Sequence, residues 1–186
     1  AYPTILAITI KEDGVPRGIH PSFITAAGTQ PAYAIFPVDG DGRIRRFERS
    51  LSLPGEKESL PLAAQTARQL GLEAKSGYVN FALGKNFDYV PFREVLAAAE
   101  RNDQAFLAKH FRDRVVMLGV VLPYLDSMRA PVTLKNWESP DRETPGVLMH
   151  AQAMRAILAN RMVQRPDDSV IALVTLLAAL VGLAAT

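Results

Sequence analysis

The chain has no cysteine in its 186 residues. Disulfide staples, thiol nucleophiles and cysteine-built zinc sites are excluded at once, although the absence fixes no compartment. There is no Gly-x-Ser-x-Gly elbow for a serine hydrolase, and neither a Gly-x-Gly-x-x-Gly turn nor a P-loop for nucleotides. Of the three histidines, His20, His110 and His150, no two are spaced to share a metal on one helix face. Lys and Arg are interspersed with Asp and Glu and the formal net charge is only +2, so the dense basic patch that nucleic-acid binding needs is missing. Intrinsic catalysis has no support here: no catalytic residues, metal ligands or cofactor site emerge.

What is present is an ordinary globular composition, 48% hydrophobic and 22% charged, enough for one domain with a sizeable core. It is joined to an unusual tail. Residues 170–186 carry no charged side chain, and their polar members are Thr175 and Thr186. A membrane-spanning helix needs roughly 20 apolar residues, and this run falls a few short before the chain stops. A core helix of a soluble domain would show a polar stripe on its outer face. The expectation is therefore a folded domain over residues 1–165, a linker at 166–169, and the truncated start of a transmembrane helix at 170–186. The front also reads as truncated, since Ala1 leads without a signal peptide almost directly into an apolar run.

Short apolar runs alternate with segments at helical spacing, which predicts an α/β domain with a mixed, largely parallel central sheet flanked by helices. Strands are expected at 4–10, 33–38, 43–48 and 78–83. The second and third flank Asp39-Gly40-Asp41-Gly42, residues suited to a tight hairpin reversal. Residues 115–122, apolar throughout, are the expected middle strand. Helices are expected at 60–70, with Ser59 as N-cap and Gly71 as stop, and at 92–100, 104–111 and about 145–160. On the last, Val147, Ala151, Met154 and Leu158 form one stripe, Arg155 lies at its margin, and His150 is at least partly buried.

Several fragments, taken in order, resemble the CHASE2 sensor domain: VDGDGRIRRF at 38–47, VNF at 79–81, RVVMLG at 114–119, Asp126 followed by Ala130-Pro131, and PGVLMHAQAMRAIL at 145–158. A membrane helix directly after the domain belongs to the same pattern. The resemblance implies an extracytoplasmic, periplasmic input module of a bacterial transmembrane receptor. Its cytoplasmic output domain, such as a nucleotide cyclase, a cyclic-di-GMP enzyme or a kinase, would lie outside this chain. It carries over no catalytic or contact residues. Two departures stand out: the family's N-terminal portion has no counterpart here, and Ala130 replaces a Thr before the proline. Arg155, Arg161 and Arg165 precede the apolar tail, and the positive-inside rule alone would place that side in the cytoplasm. The resemblance places it outside.

A ligand site is expected where Asn80, Asp126 and His150 converge at one edge of the sheet, beyond the strand ends. Alternatives stay open for each. His150 can be a neutral core histidine bonded to a backbone carbonyl or to Asp126, and Asn80 can simply satisfy backbone groups. Asp39 and Asp41 begin a calcium-loop pattern that Arg43, Ile44 and Ser50 break, so no metal is expected. Arg43, Arg45 and Arg46 then read as a solvated strand face. The stimulus, small molecule or protein, is not specified. An alternative function is a dimerising or protein-docking module, a homodimer among them, without a small-molecule ligand. In either case the visible coupling element is helix 146–160, passing through 161–168 and Pro166 into the apolar tail.

Overall fold

The computed structural model describes residues 3–11, 15–53, 58–122, 126–137 and 143–184. The elements run β1 (Ala7–Ile8), α1 (Pro21–Ala27), β2 (Ala32–Tyr33), β3 (Arg46–Phe47), α2 (Leu62–Gln69), β4 (Gly77–Tyr78), α3 (Phe92–Glu100), α4 (Gln104–Phe111), β5 (Ser127–Met128), β6 (Thr144–Pro145), α5 (Gly146–Leu158) and α6 (Asp168–Ala184). Helices and strands are mixed as the composition pattern predicts. The strands, however, form no large parallel sheet among the described residues. They make three two-stranded ladders: β1 with β2 in parallel, and β3 with β4 and β5 with β6 antiparallel.

The expected hairpin is half formed. The reversal exists, with the Asp39 N–H donating to Arg43 O at 2.9 Å, the Gly42 N–H to Asp39 O at 2.8 Å, and Gly42 at φ 77°. Its arms then part, because β2 pairs with β1 and β3 with β4. Residues 115–122 form no strand. Among the described residues their backbone makes no hydrogen bond to another backbone group, and Val116, Leu118, Val120 and Leu122 are exposed. Alternate positions face inward: Met117 packs on the core, and a Cβ at Gly119 would stand 2.4 Å from Val147 Cβ. An apolar run alone therefore does not make a central strand; it needs neighbours at both edges, and here one face rests on α5 while the other is uncovered.

Helices were easier to foresee. α3 and α4 fall where spacing placed them, and Asp103 Oδ1 caps α4 by accepting the Phe106 N–H at 2.9 Å. α2 is capped by Pro61, while Ser59 is buried in a bridge to Leu51. Gly71, at φ 71°, ends it by letting the Leu72 N–H reach back to Ala67 O at 2.9 Å.

The core is built around α5, which packs against α2. Ala63 and Ala67 of α2 and Ala153 and Ala156 of α5 are fully buried, and such small side chains allow close approach of two helix axes. The predicted stripe is too narrow and partly misplaced: Met149, Gln152, Ala153 and Ala156 are the most buried positions, while Leu158 is exposed. α6 begins at Asp168, earlier than expected, with an acidic residue in its first turn that pairs with Arg165 at 2.8 Å. Its 17 residues reach about 25 Å at 1.5 Å per residue, against about 30 Å of bilayer hydrocarbon. No helix among the described residues is long and apolar enough to cross a membrane. The tail is helical and exposed, but the spanning helix expected from the sequence is not found.

Candidate functional site

Asp126 and His150 meet the same face of α5 on consecutive turns. Asp126 sits at φ 51° just before β5, and its carbonyl accepts the Gly146 N–H at 2.7 Å. Its carboxyl oxygens lie 2.7 and 2.8 Å from the place where a Gly146 Cβ would stand. Glycine at the first position of α5 leaves room for that carboxyl, which a larger side chain would have to push aside. The residue as a whole keeps contact with solvent, yet its carboxyl is pressed against the helix end, and that loss of water raises its pKa above the usual carboxylate value.

His150 follows Gly146 by four residues, one turn along the same face. It is 4% exposed, and neither Nδ1 nor Nε2 has a hydrogen-bond partner among the described residues. The bond to a carbonyl or to Asp126 that the sequence allowed is absent from that set. Its ring lies 4.5 Å from the Phe36 ring, tilted by 34°. Burial lowers the imidazole pKa from 6.5 to about 4, so the ring is neutral at neutral pH. Each unpaired buried polar atom costs about 1–3 kcal/mol.

Asn80 is brought to a different part of the same helix. Its side-chain Oδ1 accepts the Ala82 N–H at 3.1 Å, and its carbonyl accepts Gln152 Nε2 at 2.6 Å. Gln152, fully buried, also donates to Leu83 O at 3.1 Å. Arg155 completes the clamp: its Nη1 lies 3.0 Å from Leu83 O, 2.9 Å from Lys85 O and 3.0 Å from Gln152 Oε1. Its guanidinium carbon rests 3.7 Å from the Phe87 ring centre. Sequence reasoning missed this pair, although a glutamine and an arginine at i and i+3 beside a buried helix stripe were a usable signal.

The arginines after the 39–42 turn stay in contact with solvent, and two of them are closely ion-paired there. Arg45 pairs with Asp39 at 2.9 Å and Asp41 at 2.6 Å, and Arg46 pairs with Asp39 at 2.8 Å. These partners hold both carboxyls below the usual aspartate pKa, chiefly through the Arg45 hydrogen bonds. The two acids are therefore used by arginine. Among the described residues no group of three or more His, Asp or Glu side chains could hold a metal ion.

The end of the folded domain, just before the expected 166–169 linker, is a rung of a ladder. Arg46 of β3 pairs with Tyr78 of β4, and Tyr78 bridges to Val163. The last contact is reciprocal, with the Tyr78 N–H donating to Val163 O at 2.8 Å and the Val163 N–H to Tyr78 O at 2.9 Å. Gln164 Nε2 adds a bond to Ser76 O at 3.1 Å. Gly77 makes the approach feasible, since a Cβ there would stand 2.8 Å from Val163 O and 2.9 Å from Gln164 Nε2. A strand-paired route thus runs from Asp39 through Arg45 and Arg46 of the β3 segment, whose Arg45 O accepts the Val79 N–H at 2.8 Å, to Tyr78 and Val163, a few residues before α6.

The sequence model of the CHASE2 domain matches residues 4–186. The chain belongs to the CHASE2 family. Neither the curated proteins nor the solved structures gave a match. CHASE2 domains are extracytoplasmic sensor modules, which sets this chain in a sensory class and not a catalytic one. Within this CHASE2 domain, Gln152, Arg155, Arg45 and Arg46 are held by backbone carbonyls or by side-chain partners, whereas the His150 ring nitrogens have no partner among the described residues.

Proposed function

We propose that this CHASE2 domain is the extracytoplasmic input module of a membrane-bound receptor and that α6 is its attachment to the bilayer. The observation that carries the reading is the reciprocal Tyr78–Val163 bridge, which pins the chain to the folded body a few residues before an exposed, apolar helix. A flexible tether would dissipate a displacement; a hydrogen-bonded rung can pass one on. In this reading a stimulus shifts the 39–42 turn or the amino end of α5, where Asp126 and His150 lie, and β3 and β4 carry the shift to α6. Asn80 supports the body through Gln152. The output domain would follow the membrane segment.

Two measurements test it. Mixed with phosphatidylcholine vesicles, the full chain is expected to float with the lipid, while a chain ending at Arg165 stays in solution; equal behaviour would remove the membrane attachment. In the parent receptor, Gly77→Val is expected to leave the domain folded but abolish the response, because its side chain displaces Val163. An unchanged response would eliminate the bridge as the coupling element.

A second reading, a docking or homodimer module, is favoured by the uncovered row Val116, Leu118, Val120 and Leu122. Sedimentation of the chain with Leu118→Lys separates the two: loss of a dimer with the response intact favours docking as an independent role.

A further inference from the structure

We propose that the open cleft between the 39–42 turn and β5 binds a small monocarboxylate with an apolar body. The inference deepens the sensor reading by naming its ligand class and rests on it for its biological meaning. The cleft has a volume of about 570 Å³, within the several-hundred range of small-molecule sites. Ile10, Phe36, Val38, Ile44 and Met128 give it apolar walls. Phe36 also contacts His150, so the sequence-predicted histidine stands behind the cleft wall and not in the cleft.

Arg129 supplies the charge. Its Nε lies 3.5 Å from Glu143 Oε1, and its Nη1 extends to 3.9 Å from where a Gly42 Cβ would stand, so the guanidinium reaches from the end of β5 towards the turn. The Nη edge makes no hydrogen bond among the described residues. Arg45 and Arg46 are paired more closely, at 2.6 to 2.9 Å, with Asp39 and Asp41, and Arg45 uses both of its Nη groups to do so, whereas Arg129 meets Glu143 through Nε. Arg129 is positioned through its backbone, whose carbonyl accepts the Ile44 N–H at 2.9 Å. A planar fork with a free edge matches a carboxylate. Glu143 beside it offsets much of the guanidinium charge, which disfavours a dianion such as phosphate, so a monocarboxylate is held chiefly by the geometry of the Nη hydrogen bonds and by the apolar wall. Since Gly42 and Ile44 lead into β3, a ligand gripped between Arg129 and the apolar wall acts on the first segment of the route to α6.

Such a carboxylate can be a simple aliphatic acid or an apolar amino acid whose ammonium meets Glu143. Calorimetric titration of the full chain with hexanoate, L-leucine and hexylamine distinguishes them. Saturable binding of hexanoate or L-leucine, with none for hexylamine, is expected, and Arg129→Ala should weaken it at least tenfold. Val38→Trp, which fills the cleft from an exposed position, should do the same with an unchanged circular dichroism spectrum. L-leucine binding tenfold tighter than hexanoate, with the advantage cancelled by Glu143→Gln, identifies an amino acid; equal or tighter hexanoate identifies a simple acid. Absence of saturable binding by either carboxylate, or full affinity in Arg129→Ala, overturns the proposal. Vesicle flotation reports separately on the membrane reading: intact flotation without carboxylate binding removes the cleft alone.

Discussion

Two residues apart on α5 stand two buried polar side chains in opposite circumstances. Gln152 is completely enclosed and its amide is matched to Asn80 O, Leu83 O and the Arg155 guanidinium. His150 is almost as deeply enclosed, yet both its ring nitrogens lack partners among the described residues. A polar group that is fully satisfied fixes one arrangement of the core. One that is not leaves free energy to be recovered by a shift in protonation, by a water or by rearrangement. One side of α5 is thus built to hold loop 80–87 still, and the other is built less firmly.

The largest effect should come from disturbing the satisfied side. Gln152→Met keeps the volume of the side chain but leaves the Asn80 carbonyl without its Gln152 partner, while Leu83 O and the Arg155 guanidinium each lose one bond and keep another. At about 1–3 kcal/mol for the carbonyl left without that partner and about 0.5–1.5 kcal/mol for each further bond lost, a loss of about 3 kcal/mol is expected in urea unfolding. A loss under 1 kcal/mol would mean that loop 80–87 is solvated and the contrast with His150 is false.

The unsatisfied side should reveal itself through pH. In the unfolded chain His150 titrates near 6.5, whereas burial holds it near 4 in the fold. Protons therefore favour the unfolded chain. The stability present above pH 6.5 is lost as pH falls through about 4, at about 1.4 kcal/mol per unit within the window, or about 2 kcal/mol by pH 5. Asp126 acts in the opposite sense, because its raised folded pKa adds stability as pH falls. Asp39 and Asp41, with lowered values, lose their contribution only below the ordinary carboxylate range. His150→Leu isolates the imidazole: its stability should no longer decline between pH 6.5 and 5. At pH 7 it should equal or exceed wild type by about 1 kcal/mol, since a leucine has no nitrogen to leave unpaired. A large loss at pH 7 would show that the ring has a partner in solution.

This contrast also marks what was readable from the residues alone. α3, α4 and α5 could be placed because their signals are local: Asp103 caps its own helix, and apolar spacing repeats within a few residues. Burial of His150 followed from the same periodicity. The ladders could not be placed, since each depends on segments far apart in the chain; nothing near Val163 signals that it pairs with Tyr78. The run 115–122 misled because an apolar pattern reports only that burial is favourable, not which neighbours supply it. The meeting of Asp126 with α5 was anticipated in kind, but the separation of Asn80 from it was not. That separation depends on carbonyl groups, which carry no side-chain signature.

The smallest effect tests how tightly Asp126 is bound to the unsatisfied end of α5. Gly146→Ala adds one methyl where the Asp126 carboxyl oxygens already lie under 3 Å away. The carboxyl can swing aside, and alanine is the better helix former, so the net cost should be only about 1 kcal/mol. In an Asp126→Gly background the obstruction is gone, and glycine tolerates the φ of 51° at that position without strain. There Gly146→Ala should become neutral or slightly stabilising, giving a coupling of about 1 kcal/mol in the double-mutant cycle. Additive effects would mean that the carboxyl does not rest on the helix end in solution, and Asp126 would then have no mechanical link to α5. A positive coupling makes this residue the connection between β5, which lines the cleft, and the helix that carries His150.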